Sequence, residues 1–326
     1  MYCNFYRGDF IESSHQVHAV VLDEQRKVLF QSGDLNHITC IRSSFKPFQA
    51  YPFIHHNGHI KYNFTPSEIA LLCASHNGEK IHTNTAKAML QKIKMNHTNL
   101  ECGTHLPADK ITRKRFIQNN HTLTTLYNNC SGKHIGMLGL TQLLKYNRKH
   151  YIHIEHPIQK KIFQFLKKNH HITPKHIGID GCGAAAPFFN IQDIAKLYLD
   201  FGLSNDPAYQ VLYQSMCKAP FLIGGTNRFD SFFIKLLQGT GISKGGGEGV
   251  IGLFLNTKIH GNIAIAVKIQ DGSSRARGIA VCDILNHLQA LPKTLQTKLN
   301  KYCHINRLNH NQIKIGFIST EISKLS

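Results

Sequence analysis

Arg42-Ser43-Ser44-Phe45-Lys46-Pro47-Phe48-Gln49-Ala50 is the stretch on which the reading of this chain turns. The polar Asp34-Leu35-Asn36 segment precedes it, and serine and proline ahead of apolar residues at helical spacing predict a helix start here. Ser43 and Lys46 stand at i and i+3, on one helix face, where an amine can reach a hydroxyl and remove its proton. A lysine acts as a base only when burial or a second cation lowers its pKa, so a second lysine is expected nearby. The same residues also fit a plain structural role, with Ser44 capping a helix and Lys46 in solvent. One spacing does not separate the two.

Outward from that junction the periodicity changes twice. Upstream, 18–30 reads HAVVLDEQRKVLF, two β-rich runs around a polar Asp23-Glu24-Gln25-Arg26 turn, which predicts a hairpin. Downstream, Pro66-Ser67-Glu68-Ile69-Ala70-Leu71-Leu72 opens a helix ending near Ala74-Ser75. Helical spacing then dominates to about residue 215, as in 83–95, 133–146, 157–168 and 191–203. Short β-rich runs return at 250–255 and 263–269, followed by a helix over 274–291 and a strand over 313–318. Strands at both ends and helices between them predict a mixed α+β fold, one sheet interrupted by a helical insertion. With no internal repeat or long linker, 1–326 is expected to be a single domain. Its sheet part would span about 1–60 and 215–326, and its helical region about 61–214.

Hydrophobic residues make up 42% of the chain and charged ones 17%, enough for a sizeable core. There is neither a signal-like start nor an apolar run long enough to span a membrane, so a cytoplasmic protein without a membrane partner is expected. Nine scattered cysteines without close pairs argue for reduced thiols. A net charge of +19 would suit a nucleic-acid partner if it were clustered, but Lys and Arg are spread along the chain, and no nucleic-acid partner is expected. Among the 22 histidines, the clusters His55, His56 and His59 and His170, His171 and His176 lie in loop-like polar stretches without a partnering carboxylate at helical spacing.

Two further segments hold chemistry. Ser243-Lys244-Gly245-Gly246-Gly247-Glu248-Gly249 precedes a predicted strand, which places Lys244 at a strand edge open to close backbone approach. A dinucleotide-binding glycine motif would instead follow a strand and open a helix. Lys244-Gly245-Gly246 is similar to the K-T-G element of S-x-x-K serine hydrolases; the alternative is a glycine hinge. Asn128-Asn129-Cys130-Ser131-Gly132-Lys133-His134 sets Cys130 at a helix N-terminus, where the dipole favours a thiolate, and Gly181-Cys182-Gly183 holds a second cysteine among glycines. These thiols fit a packed core, a soft metal such as zinc, or a Cys130 nucleophile beside His134.

In order, Arg42-Ser-Ser-Phe-Lys-Pro-Phe-Gln, Cys73-Ala-Ser-His-Asn-Gly-Glu, Cys102-Gly-Thr-His-Leu-Pro, Asn128-Asn-Cys-Ser-Gly-Lys-His, Asp180-Gly-Cys, Lys244-Gly-Gly-Gly-Glu-Gly and Asp271-Gly-Ser-Ser-Arg resemble the L-asparaginase II family, the zinc-containing asparaginase class, over about residues 10–320. The resemblance implies a fold similar to serine β-lactamases and glutaminases, a homodimer, and hydrolysis of L-asparagine to L-aspartate and ammonia. It implies two serine-lysine pairs, Ser43 with Lys46 and Ser75 with Lys244, with Lys268 as the fallback for the second lysine. It also implies zinc on Cys130, Lys133 and Cys182, positioning substrate rather than making hydroxide, and Arg42, His134 and Asp180 near the substrate. Phe45, Phe48 and the Gly183-Ala184-Ala185 continuation depart from the family pattern. The rival readings are a glutaminase or other small-amide hydrolase, a cysteine amidase on Cys130 and His134, and a non-catalytic basic nucleic-acid-binding protein.

Overall fold

The computed structural model describes residues 1–120, 122–304 and 306–322. The chain is α+β and forms two compact units: one holds Met1–Ile41, Phe189–Leu203 and the chain from Ser243 onward, the other Arg42–Phe188 and Ser204–Ile242. Residues 42–60 and 215–242 therefore belong with the helices, and 189–203 with the sheet, where the sequence placed both the other way.

The first unit is built on a seven-stranded sheet. Phe10–Leu22 is its longest strand, and its burial changes along its length. Its first half pairs antiparallel with Tyr2–Arg7, which in turn takes Ile318–Glu321 on its other edge. Its second half, the buried apolar run Val17–Leu22, lies between Val28–Ser32 and Gly261–Ile269. A strand flanked on both sides and covered on both faces has no solvent side, which is why the apolar run does not alternate. The predicted 18–30 hairpin is present, turned by Asp23, whose Oδ1 accepts from the amides of Gln25 and Lys27. Gly261–Ile269 continues to Val250–Thr257 in a second hairpin, again as the sequence suggested. The helix Ile191–Leu203 packs on these strands through two close approaches: a Cβ on Gly252 would meet the Tyr198 ring at 2.1 Å, and one on Gly202 the Phe254 ring at 2.2 Å. The Ser243–Gly249 segment does precede a strand, Val250–Thr257, and its first part belongs to another, Gly241–Gly246.

The second unit is organised around the helix Ser131–Leu143, whose residues 131–141 are all buried. A helix buried on every side needs neighbours that come close. Gly132, Gly136 and Gly139 line up on it to allow this: Cβ atoms there would meet the Leu71 carbonyl oxygen at 2.0 Å, Leu72 Cδ2 at 3.0 Å and Phe53 Cε2 at 2.8 Å. Leu71 and Leu72 end the helix Pro66–Leu72, which starts with a capping box between Thr65 and Glu68. Phe53 belongs to Lys46–His55. Of the two histidine clusters, His55 stacks on Tyr51 and His170 Nε2 lies 2.6 Å from the Tyr209 hydroxyl, while His171 and His176 are exposed. Two elements were not foreseen in the helical middle and after it: the hairpin His176–Ile179 with Ala185–Asn190, and the helix Lys293–Cys303. Among the described residues no helix is long and apolar enough to cross a membrane.

Candidate active site

The helical unit gathers most of the sequence motifs. Arg42, at φ +48°, opens a 3-10 turn over Arg42–Phe45, and the α-helix begins only at Lys46, with Pro47 in its first turn. Ser43 therefore sits on the tighter turn ahead of the helix, where residues three apart eclipse and still share a face with Lys46. Ser43 is half-buried, while Lys46 has no exposed surface.

Lys46 Nζ donates to Ser75 Oγ at 2.9 Å, to the Asn129 carbonyl at 3.2 Å and to the Ala74 carbonyl. The amine thus joins three motifs, and its contact with Ser75 is the serine-lysine pair that the geometry presents. Ser75 is held in place by backbone bonds on the segment after the capped helix: its amide donates to Ile223 O and that of Asn77 to Gly224 O, both at 2.9 Å. Asn129 is held through His105, whose Nε2 accepts from its amide at 2.9 Å, while Asn128 Nδ2 donates to Cys102 O at 2.8 Å. The Cys102-Gly-Thr-His105 motif is therefore a brace for the Asn128–Cys130 turn.

That turn presents the thiol cluster. Cys130 caps the helix Ser131–Leu143, and its sulfur lies 3.1 Å from Asn129 Oδ1 and beside Cys182. Lys133 Nζ donates to Cys182 Sγ at 3.0 Å. The helix dipole was expected to favour a thiolate on Cys130, but its hydrogen bond with Cys182 and its burial push the Cys130 thiol up. Cys182 takes the charge instead, held down by Cys130 and, against burial, by Lys133 and His134. Burial works against the Lys133 ammonium, and the sulfur charge of Cys182 outweighs it, so that amine is pushed up.

His134 is fully buried and meets this cluster directly. Burial pulls its imidazole down, and burial likewise pushes the Tyr151 phenol up. Tyr151 Oη accepts the Glu101 amide at 2.9 Å and so donates to His134 Nδ1 at 2.8 Å. The ring proton is then on Nε2, which has no other hydrogen-bond partner and faces the Cys182 sulfur. Two thiols and an amine around one point form a soft donor set that fits zinc once Lys133 gives up its proton, with His134 beside the Cys182 sulfur. Tyr151 is a residue the sequence reading missed, since it lies in no motif.

Arg42 Nε donates to Asp180 Oδ1 at 2.8 Å, so two of the residues expected near substrate form an ion pair. Asp180 Oδ1 also accepts from the Gly181 amide, and the Gly183 amide donates to Asp180 O, a tight turn that holds Cys182 two residues on. The lysines proposed for the second pair belong to the sheet unit. Lys244 lies fully buried in Gly241–Gly246 and donates to Gly245 O at 2.5 Å; Lys268 donates to Glu248 O at 2.5 Å, and burial pulls its ammonium down.

The family model described as L-asparaginase II matches residues 3–320. The chain belongs to the L-asparaginase II family. Membership places it among the amidohydrolases. No curated protein matches it in sequence. Among solved structures it is similar to the TLA-1 extended-spectrum β-lactamase at 14% identity and a TM-score of 0.37, covering 88% of this chain and 92% of that one. It is also similar to the TLA-3 extended-spectrum β-lactamase at 13% identity and 0.38, covering 89% and 94%.

Proposed function

We propose that the chain hydrolyses the side-chain amide of L-asparagine to L-aspartate and ammonia through an acyl-enzyme on Ser43. The buried Lys46 amine, held 2.9 Å from Ser75 Oγ and one turn from Ser43, carries the reading. Ser43 is the nucleophile because its position is half-buried, whereas Ser75 is only 6% exposed. In its neutral form Lys46 takes the Ser43 proton as the oxygen attacks the amide carbon, and Ser75 relays a proton toward the leaving nitrogen. The carbon–nitrogen bond then breaks, ammonia leaves, and water cleaves the aspartyl ester with the same groups working in reverse. Backbone amides at the start of the Arg42–Phe45 turn are assigned to the developing oxyanion. Arg42, anchored on Asp180, supplies a fixed guanidinium for the substrate carboxylate. Lys244 is assigned to the second pair on its motif, with Lys268 as the fallback.

Cys130, Lys133 and Cys182 would hold a zinc ion, which supplies a fixed positive charge for orienting substrate. Lys133 must lose its proton to bind it, and His134 orients Cys182 from the other side. The test is ammonia release from L-asparagine and L-glutamine by wild type, Ser43→Ala and Ser75→Ala. Asparagine turnover lost in Ser43→Ala supports the reading. Full turnover in Ser43→Ala, with loss only in Ser75→Ala, would move the nucleophile to Ser75.

A further inference from the structure

The sheet unit contains a second cluster of metal-type side chains, none of which belongs to a motif named above. Two adjacent dipeptides make it: Cys282-Asp283 on the helix Ser274–His287, and Cys303-His304 at the end of the helix Lys293–Cys303. Ligand atoms of Cys282, Asp283 and His304 all lie within 4.8 Å of one another. His304 Nε2 is 2.7 Å from Asp283 Oδ1. Cys303 completes the set: its thiol is a hydrogen-bond neighbour of Cys282, and its sulfur lies 3.3 Å from Gly278 O, one helical turn before Cys282. Cys282 has no exposed surface and Cys303 is 8% exposed, while the His304 and Asp283 side chains keep an edge to solvent, at 29% and 12%. The result is a sheltered sulfur pair with an imidazole and a carboxylate at its mouth.

We propose that Cys282, Asp283, Cys303 and His304 bind a zinc ion, separate from the Cys130 cluster. Two thiols, an imidazole and a carboxylate form a tetrahedral zinc donor set and suit neither the all-oxygen shell of calcium or magnesium nor a haem iron. Outer partners that orient the ligands are already in place. Asp283 Oδ2 accepts from Thr320 Oγ1 at 2.8 Å, and Gln296 Nε2 reaches both Cys282 Sγ at 3.7 Å and Asn300 Oδ1 at 2.8 Å. Thr320 sits on the edge strand Ile318–Glu321, so the ion would tie the two helices to that strand. Bound there, zinc acts as a structural clamp.

The test uses full-length protein purified under reducing conditions, stripped of metal and titrated with cobalt(II), with thiolate-to-cobalt charge transfer and ion count as readouts. Cys303→Ser and His304→Gln are each expected to lose one bound ion per chain relative to wild type, together with that ion's charge-transfer band. Cys130→Ser is expected to keep it. His304 is partly exposed, so His304→Gln reports even if the buried Cys303→Ser misfolds. Ion counts equal to wild type in both variants overturn the proposal, as does a Cys282–Cys303 disulfide in protein purified with zinc present. The proposal stands apart from the catalytic reading, because the cobalt count at this site is indifferent to whether asparagine is turned over.

Discussion

Gly132→Ala separates two opposed effects whose sizes can be worked out. In a helix interior alanine is favoured over glycine by about 0.8–1 kcal/mol, so a helix with room at that position would gain stability. Here the new methyl would stand 2.0 Å from the Leu71 carbonyl oxygen, 2.7 Å from its carbon and 2.9 Å from Leu71 Cγ. That first contact lies about 1.4 Å inside ordinary van der Waals separation and is made with backbone, which cannot rotate away. Overpacking of this kind costs about 1–3 kcal/mol, and a rigid neighbour argues for the upper end. The net loss is then about 2 kcal/mol, a fall in Tm of about 4–8 °C for a unit of this size. The displacement has a direction as well. Leu71 O accepts the amide of Ala74, the residue before Ser75, while Gly132 lies between Cys130 and Lys133. Moving the two helices apart therefore shifts Ser75 from Lys46, and asparagine turnover should fall by more than the unfolded fraction explains. Thermal melts monitored by circular dichroism and ammonia-release kinetics on the same preparation provide both readouts. A Tm equal to or above wild type refutes the packing argument; a lower Tm with unchanged kcat refutes the coupling to Ser75.

Lys46→Met leaves Ala74 O, Asn129 O and Ser75 Oγ without their shared donor, and is expected to lower activity by about 10²- to 10⁴-fold as well as stability; kcat and a urea titration measure the two. His76, His82 and His134 are buried and held below the ordinary histidine pKa, chiefly by burial, so each takes a proton more readily unfolded than folded. Their contribution is fully present above pH about 6.5 and is lost as pH falls below it, each adding up to about 1.4 kcal/mol per pH unit to the slope. Urea midpoints between pH 5 and 7 test this, and a flat profile would show that the three are not buried neutral. Chelator treatment is expected to lower Tm and raise KM for asparagine more than it lowers kcat, because in this reading the metal only positions substrate; an unchanged KM with kcat abolished would contradict that.

The hairpins and the central helices are legible in the sequence because their signals are local. The Thr65–Glu68 capping box, the Asp23 turn and the apolar run 17–22 each state their structure within a few residues. The site is legible as motifs but not as pairings: nothing in Ser43-x-x-Lys46 says that Lys46 reaches Ser75, because that contact depends on where the Ile223–Gly224 backbone places the Ser75 segment. Cys130 was misjudged for a related reason. A helix N-terminus favours a thiolate, but a second buried sulfur next to two cationic or donating groups competes for the same charge and wins. Tyr151 and the Cys282-to-His304 cluster gave no signal, since an isolated tyrosine and two ordinary dipeptides gain meaning only when helices converge. The strand expected to follow Ser243–Gly249 is there at Val250–Thr257, but the buried strand Gly241–Gly246 before it is not legible, because its glycines carry no β signal.

Tyr2–Phe5 forms its outer hydrogen bonds with Ile318–Glu321, so the sheet is sewn together from opposite ends of the chain. During synthesis at about 5–20 residues per second, the strand that emerges first waits roughly 15 to 60 s for its partner. The helical unit, drawn entirely from Arg42–Phe188 and Ser204–Ile242, is complete before that partner is made. In the last part of its time on the ribosome the protein is therefore a folded helical body trailing an open β edge. A nascent chain halted once Ile242 has left the ribosome, but before Ile318–Glu321 is made, should accordingly protect the helical unit from protease while leaving residues 1–41 open to cleavage.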